Sequence, residues 1–396
     1  MVDFKYYTPT EVVFGKDSEK HLAELVRKHG GTKVLIHYGG GSVVRSGLLD
    51  SVKARLDAAG IPWVELGGVV PNPRLSLVYE GISLCRAEGV DFLLAVGGGS
   101  VIDSAKVIAY GLQYDGDVWD IYDGRHTPVA STPVGVVLTI PASGSEMSDS
   151  AVITKDDGMV KRGCNSDLCR PRFAIMNPER TFSLPPYQTA AGVTDIMMHT
   201  MERYFSHEDD MLLTDAMAEA LMRTVKECGE KVLADPQNYQ LRAQIMWAGS
   251  LAHNNLTGCG TVSDFATHRI EHELSSTFGA THGAGLAAIW PHWAEYVLAE
   301  NPARFAQFAV NVAGVPNDFK SPERTARAGI AAMVDFYHRI GMPACLPELI
   351  GRPATEEEIA EMAFKATRGR TITLGNLKKL DYDDVVAIYR QANRPL

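Results

Sequence analysis

The sequence predicts an α/β fold in two parts: a doubly wound, mainly parallel N-terminal domain over residues 1–186 and an all-helical C-terminal domain over residues 187–396. Three observations predict it. Short β-branched runs ending in glycine alternate with helix-like stretches in the first half. Strand signals nearly vanish after Leu184-Pro185-Pro186. Beyond that point the chain reads as one helix after another.

The strands come first. Val34-Leu35-Ile36-His37-Tyr38 precedes Gly39, Phe92-Leu93-Leu94-Ala95-Val96 precedes Gly97, and Val134 to Ile140 precedes Pro141. Near-continuous apolar strands, with helices such as Leu48 to Ala59 and Leu75 to Glu88 between them, predict a parallel sheet covered on both faces. The Pro185-Pro186 pair makes a natural boundary because proline disfavours helix continuation. Past it, periodicity predicts helices near 187–206, 210–232, 239–257, 264–275, 283–298, 301–313 and 322–340.

Composition excludes several classes. At 45% hydrophobic and 22% charged, the 396 residues can bury a large core. A net charge of −10 points away from nucleic acid and from anionic membrane surfaces. No run approaches the roughly 18 apolar residues of a membrane span, and Met1 to Tyr7 lacks the plan of a secretion signal. Six cysteines without a CxxC pair read as reduced thiols of a cytoplasmic enzyme, with Cys164 and Cys169 close only incidentally.

Two glycine turns suit phosphate. Gly39-Gly40-Gly41-Ser42 follows one strand, and Gly97-Gly98-Gly99-Ser100-Val101-Ile102-Asp103 follows another, with Lys106 in the next helix. Glycine admits close backbone approach, and a helix N-terminus offers free N–H groups to an anion. Neither turn has the ordinary dinucleotide spacing, and a tight turn of the fold is the alternative. After Tyr38 there is no acidic residue to hold a ribose 2′-hydroxyl, while Ser42 and Arg45 stand close behind. That favours NADP(H) over NAD(H). The hydroxyl-rich stretch Thr139-Ile140-Pro141-Ala142-Ser143-Gly144-Ser145-Glu146 suits a polar ligand or a capped helix start.

The sharpest signal lies in the helical half. Asp195 and His199 are four residues apart in an apolar setting of Ile196, Met197 and Met198. On a helix they share a face, and a metal would neutralise a carboxylate buried there. His268 and His272 repeat the spacing, and His282 follows in the glycine-rich loop Thr281-His282-Gly283-Ala284-Gly285. Imidazoles with one carboxylate suit Fe²⁺, Zn²⁺ or a similar ion. A helix-surface ion pair is the alternative for Asp195 and His199. His21, His29, His126, His207 and His253 read as ordinary packed or solvated histidines.

With these motifs in order, nearly the whole chain resembles the iron-containing (group III) alcohol dehydrogenases, in the branch of NADPH-dependent butanol dehydrogenases and aldehyde reductases. Thr8-Pro9-Thr10, Phe14-Gly15 and Pro71-Asn72-Pro73 belong to the same resemblance. It implies metal ligands Asp195, His199, His268 and His282, with His272 as an active-site histidine near the substrate. It implies a pyrophosphate loop at Gly98, Gly99 and Ser100, and an adenosine-ribose turn over Gly39, Gly40, Gly41 and Ser42. Asn72, Asp103, Thr139, Ser143 and Lys161 would line the cofactor. Ser143 stands where threonine is commoner and keeps the hydroxyl. The resemblance implies a dinucleotide domain and a metal-binding helical domain with the site in a cleft between them, and a homodimer. The expected activity is hydride transfer between NADP(H) and a small alcohol or aldehyde, with His272 as proton relay. A glycerol-type polyol dehydrogenase is a close alternative. A dehydroquinate synthase-like lyase is disfavoured by the apolar setting of Phe265, Ile270 and Phe278, where only Arg269 is basic. A non-catalytic nucleotide or metal sensor is disfavoured by the complete ligand set together with His272.

Overall fold

A computed structural model of the chain describes all 396 residues. It comprises two compact units, one of Tyr7–Ser183 and one of Leu184–Leu396 together with Met1–Tyr6. The first six residues thus leave the α/β half, to which a boundary at residue 186 had assigned them. The backbone N–H of Val2 donates to the Gly260 carbonyl at 2.9 Å, tying that segment to the helical unit.

The α/β unit contains strands β1 (Glu11–Phe14), β2 (Val34–Gly39), β3 (Trp63–Val69), β4 (Phe92–Gly97), β5 (Val134–Leu138), β6 (Ser150–Lys155), β7 (Val160–Asn165) and β8 (Phe173–Met176). Its helices are α1 (Leu22–Lys28), α2 (Ser42–Arg45), α3 (Leu48–Ala58), α4 (Leu75–Glu88), α5 (Gly99–Gly111) and α6 (Trp119–Tyr122). Six strands form one parallel sheet in the order β1-β8-β5-β4-β2-β3. β6 and β7 form a separate antiparallel ribbon.

The apolar runs follow from burial on both faces. Val34 and Ile36 of β2, with Phe92, Leu94 and Val96 of β4, pack against α1 and α3 through Leu25, Val52 and Leu56. Alternate residues face the other way, so that His37 of β2 meets Ser104 of α5.

Strand order positions the glycine turns. The chain leaves β2 for β3 at one edge, then returns past β2 to β4 and continues through β5 toward the other. Winding direction therefore reverses between β2 and β4, and α/β sheets bind ligands beyond the strand ends at such a reversal. Gly39 to Gly41 follows β2 and Gly98 to Ser100 follows β4, so both turns lie there.

The helical unit runs through α7 (Pro186–Tyr204), α8 (Leu212–Ala234), α9 (Tyr239–His253), α10 (Ala266–Phe278), α11 (His282–Val297), α12 (Pro302–Phe308), α13 (Pro322–Arg339), α14 (Leu346–Ile350), α15 (Glu356–Ala366) and α16 (Tyr382–Ala392). α9 stops at His253, short of the expected 257, where Asn255 takes a left-handed φ of 75°. α12 gives way after Phe308 to a π turn over Ala309–Ala313. One core gathers Met197, Met201, Phe205, Trp290, Phe305 and Tyr337. No helix is long and apolar enough to cross a membrane, and all six cysteines are free.

Candidate active site

In the α/β unit the second glycine turn is pressed against the hydroxyl-rich loop. A Cβ on Gly99 would stand 2.2 Å from Ser143 Oγ, so no other residue fits without displacing that loop. The Thr139 N–H donates to the Gly97 carbonyl at 3.1 Å, which keeps Thr139 and Ser143 beside the turn. Gly98, Gly99 and Ser100 are half-buried at the start of α5, where the first-turn N–H groups can meet an anion. Asn72, at φ 56°, accepts a hydrogen bond from Lys161 Nζ at 2.9 Å.

Asp103 behaves differently from its neighbours in the motif. One carboxylate oxygen accepts from Ser145 Oγ at 2.6 Å and the other from the Val152 N–H at 3.0 Å. The carboxylate is thus engaged in holding the loop and β6 to α5. Burial raises its pKa, against the pull of Lys106. Lys106 is fully buried and donates to the carbonyls of Ser148 and Ser150 at 3.0 and 2.8 Å.

At the first turn, Gly39 and Gly41 are half-buried while Gly40 and Ser42 are exposed. Arg45 folds back over it, with Nη1 3.1 Å from where a Gly41 Cβ would sit. A guanidinium therefore stands beside the turn, and no acidic residue follows Tyr38 in it.

The helical unit assembles the histidines. α7 is buried along its length from Thr189 to Tyr204, which sets Asp195 and His199 on an inward face. α11 closes on α7 at its first turn. A Cβ on Gly283 would lie 2.0 Å from the Ala191 carbonyl, so only glycine lets His282 come this near. The start of α10 is fixed by Asp264, whose carboxylate accepts the N–H groups of Ala266, Asn376 and Leu377 at 2.9, 2.7 and 2.8 Å. Burial, and then the nearby Glu202 charge, push Asp264 up to about 6.

Asp195, His268 and His282 each offer a ligand atom within 4.8 Å of the others. From Asp195 Oδ1 the distances are 3.7 Å to His268 Nε2 and 3.8 Å to His282 Nε2. His199 borders this trio, with Nδ1 3.3 Å from Asp195 Oδ1 and its ring centroid 4.6 Å from that of His268. His272 stands beside His282, their ring centroids 5.8 Å apart, and is half-buried.

The donor set fits a cation. Asp195 Oδ1, His199 Nδ1 and His268 Nε2 are buried and have no hydrogen-bond partner. Each such atom costs about 1–3 kcal/mol if left unpaired, and these three are neighbours. Burial would raise Asp195, but His282 and His268 hold it below its usual value. Burial would lower His268, yet Asp195 and Glu202 on either side raise it to about 9. His199 is driven well down by burial and then by His268. Positive charge thus gathers at His268 between Asp195 and Glu202, while His199 is held as a neutral imidazole.

Two glutamates that the sequence reading did not single out complete the arrangement. Glu202 Oε1 lies 3.0 Å from His268 Nδ1, and the buried Glu271 bonds His282 Nδ1. A carboxylate accepts, so each Nδ1 carries a proton toward its glutamate and each Nε2 is the atom turned toward Asp195. Their signal was present as spacing: Glu202 is two turns beyond Asp195 on α7, and Glu271 is three residues after His268. His253, expected to be an ordinary packed residue, also belongs here. Its ring meets that of His199 edge-on at 4.0 Å, and its Nδ1 lies 3.4 Å from Arg203 Nη2.

Comparison with known proteins agrees over the whole length. Residues 9–178 match the family described as iron-containing alcohol dehydrogenase, and residues 189–393 match the C-terminal domain of the same family. The chain is 41% identical over 390 residues to the probable NADH-dependent butanol dehydrogenase 1 of Bacillus subtilis, covering 98% of this chain and 99% of that protein. It is 38% identical over 352 residues to the NADPH-dependent aldehyde reductase YqhD of Escherichia coli, covering 88% and 89%. The crystal structure of NADH-dependent butanol dehydrogenase A from Thermotoga maritima superimposes with a TM-score of 0.95 at 36% identity, covering 99% of each chain. This chain therefore belongs to the iron-containing alcohol dehydrogenase family.

Proposed function

We propose that this family member is a metal-dependent alcohol dehydrogenase, acting mainly as an aldehyde reductase. In this reading it moves a hydride between NADP(H) and a small primary alcohol or aldehyde of butanol type. The observation that carries the reading is the group of unpaired, buried ligand atoms of Asp195, His199 and His268 beside His282. Those four residues hold one divalent ion, Fe²⁺ first and Zn²⁺ as the substitute that the same donors accept. When bound, the ion supplies Lewis-acid polarisation of a carbonyl and the reduced nicotinamide supplies the hydride.

The chain's own residues do the rest. Glu202 and Glu271 hold the Nδ1 protons of His268 and His282 and so aim their Nε2 atoms toward Asp195. His272 passes a proton to the product oxygen in this reading, which its half-buried position beside His282 supports. Gly98, Gly99 and Ser100 take the pyrophosphate, Gly39 to Ser42 take the adenosine ribose, and Asn72, Thr139, Ser143 and Lys161 line the remainder. Asp103 serves that site through the loop it holds. Relatives named for NADH and for NADPH both occur, so nucleotide preference rests on this chain's own turn. The Arg45 guanidinium over Gly41 supports NADP(H).

Nucleotide oxidation with butanal tests the reading, run with NADPH and NADH before and after chelation. Loss on chelation, recovery with Fe²⁺ or Zn²⁺, and faster turnover with NADPH are the expected results. Full turnover of a verified metal-free enzyme would contradict it.

A further inference from the structure

β2 is buried from Val34 to His37, and its residues from Val34 to Ile36 are apolar, as a strand covered on both faces requires. His37 breaks the pattern. It is completely buried, and an imidazole at such a position is costly unless both nitrogens are satisfied. Both are. Nδ1 lies 2.8 Å from the Leu66 carbonyl of β3, and Nε2 lies 2.8 Å from Ser104 Oγ of α5. A carbonyl only accepts, so Nδ1 carries the proton and Nε2 accepts from the Ser104 hydroxyl. Burial pushes the ring's pKa down to about 4, in keeping with a neutral imidazole.

The three bonded groups sit at informative places. The β2–β3 register runs His37 with Leu66 and then shifts, so that Gly39 pairs with Val69. The extra residue lies on β3, between Leu66 and Val69, so the irregularity begins directly beyond the carbonyl that His37 binds, and on β2 the first glycine turn starts two residues past His37. Ser104 lies one helical turn beyond Ser100 of the second glycine turn. The two turns are also neighbours, since a Cβ on Gly39 would lie 3.7 Å from Val101 Cγ2.

We propose that His37 is a positioning residue for the dinucleotide: by joining β3 to α5 through β2, it sets the spacing between the adenosine-ribose turn and the pyrophosphate turn. This rests on the assignment of those two turns to the cofactor given above. A dinucleotide spans both turns and gains from correct spacing, whereas a fragment that occupies one turn does not. Loss of the bridge therefore separates the whole ligand from its halves, which a general loosening of the fold would not do.

The test is calorimetric titration of the full-length protein with NADPH, 2′-AMP and nicotinamide mononucleotide. His37→Leu is expected to weaken NADPH about tenfold, with both fragments held within about twofold of wild type. His37→Gln, which again offers a donor and an acceptor, restores part of that loss. Ser104→Ala removes one bond only and weakens NADPH about threefold; it carries the test alone if His37→Leu does not fold. Unchanged NADPH affinity in the variants that fold, or a parallel loss for all three ligands, overturns the proposal. Gly99→Ala separates this from the assignment beneath it. If that variant binds NADPH normally, the turn assignment fails and the proposal falls with it. If Gly99→Ala loses NADPH while His37→Leu and Ser104→Ala do not, the role of His37 alone is overturned.

Discussion

Glu202 Oε1 lies 3.0 Å from His268 Nδ1 and accepts the backbone N–H of the same residue at 2.9 Å. One carboxylate oxygen on α7 thus fixes both the ring and the first turn of α10. Glu202→Gln should lower metal affinity about 10- to 100-fold, because an amide neither polarises the imidazole nor secures its tautomer. Competition against a coloured chelator measures this. Affinity equal to wild type would show that the glutamate does not act on the metal.

His268 and His272 share a helix but should fail differently. His268→Ala removes a ligand atom from the trio with Asp195 and His282, and the purified variant should lose metal. His272→Ala should keep its metal and lower kcat about a hundredfold, as loss of a proton-transfer group does. Metal analysis beside steady-state kinetics separates the two. Equal metal content in wild type and His268→Ala would contradict the ligand assignment.

Gly99→Ala places a methyl group 2.2 Å from Ser143 Oγ and must move the loop it rests on. The KM for nucleotide should rise about tenfold with metal content unchanged. A rise in aldehyde KM alone would place the turn elsewhere in the reaction.

Arg45→Ala should erode the preference for NADPH over NADH about tenfold, the scale of one charge-assisted hydrogen bond. Paired kcat/KM values measure it. An unchanged ratio would remove Arg45 from nucleotide choice.

His37 also makes stability depend on pH. Its folded pKa of about 4 lies below the ordinary imidazole value of 6.5, so the unfolded chain takes up a proton first as pH falls. The contribution is present above pH 6.5 and is lost as pH drops toward 4. The full difference corresponds to about 3 kcal/mol. Urea unfolding at pH 7 and pH 4.5 should show a smaller loss in His37→Gln than in wild type. His292, also pushed down to about 4 by burial, adds to the slope in both.

The fold was legible wherever local periodicity carries the information. The expected helix at 187–206 is α7 at 186–204, and the run from Phe92 is β4. Strand order was not legible, because the return of the chain past β2 leaves no local mark, and that return is what brings the two glycine turns together. In the site, the i,i+4 pairs stood out because a carboxylate or imidazole among Ile196, Met197 and Met198 is anomalous. Glu202 and Glu271 did not, since glutamates are ordinary on helices and only packing reveals which ones face inward. That the first six residues group with the helical unit was hidden for a similar reason. The tie from Val2 to Gly260 joins positions far apart in sequence.

Anomalous diffraction from crystals of the Zn²⁺- or Fe²⁺-loaded enzyme tests the central claim most directly. The account predicts one strong peak per chain, within coordination distance of Asp195, His199, His268 and His282. A peak on other residues, or a fully loaded protein with none at these four, would contradict it.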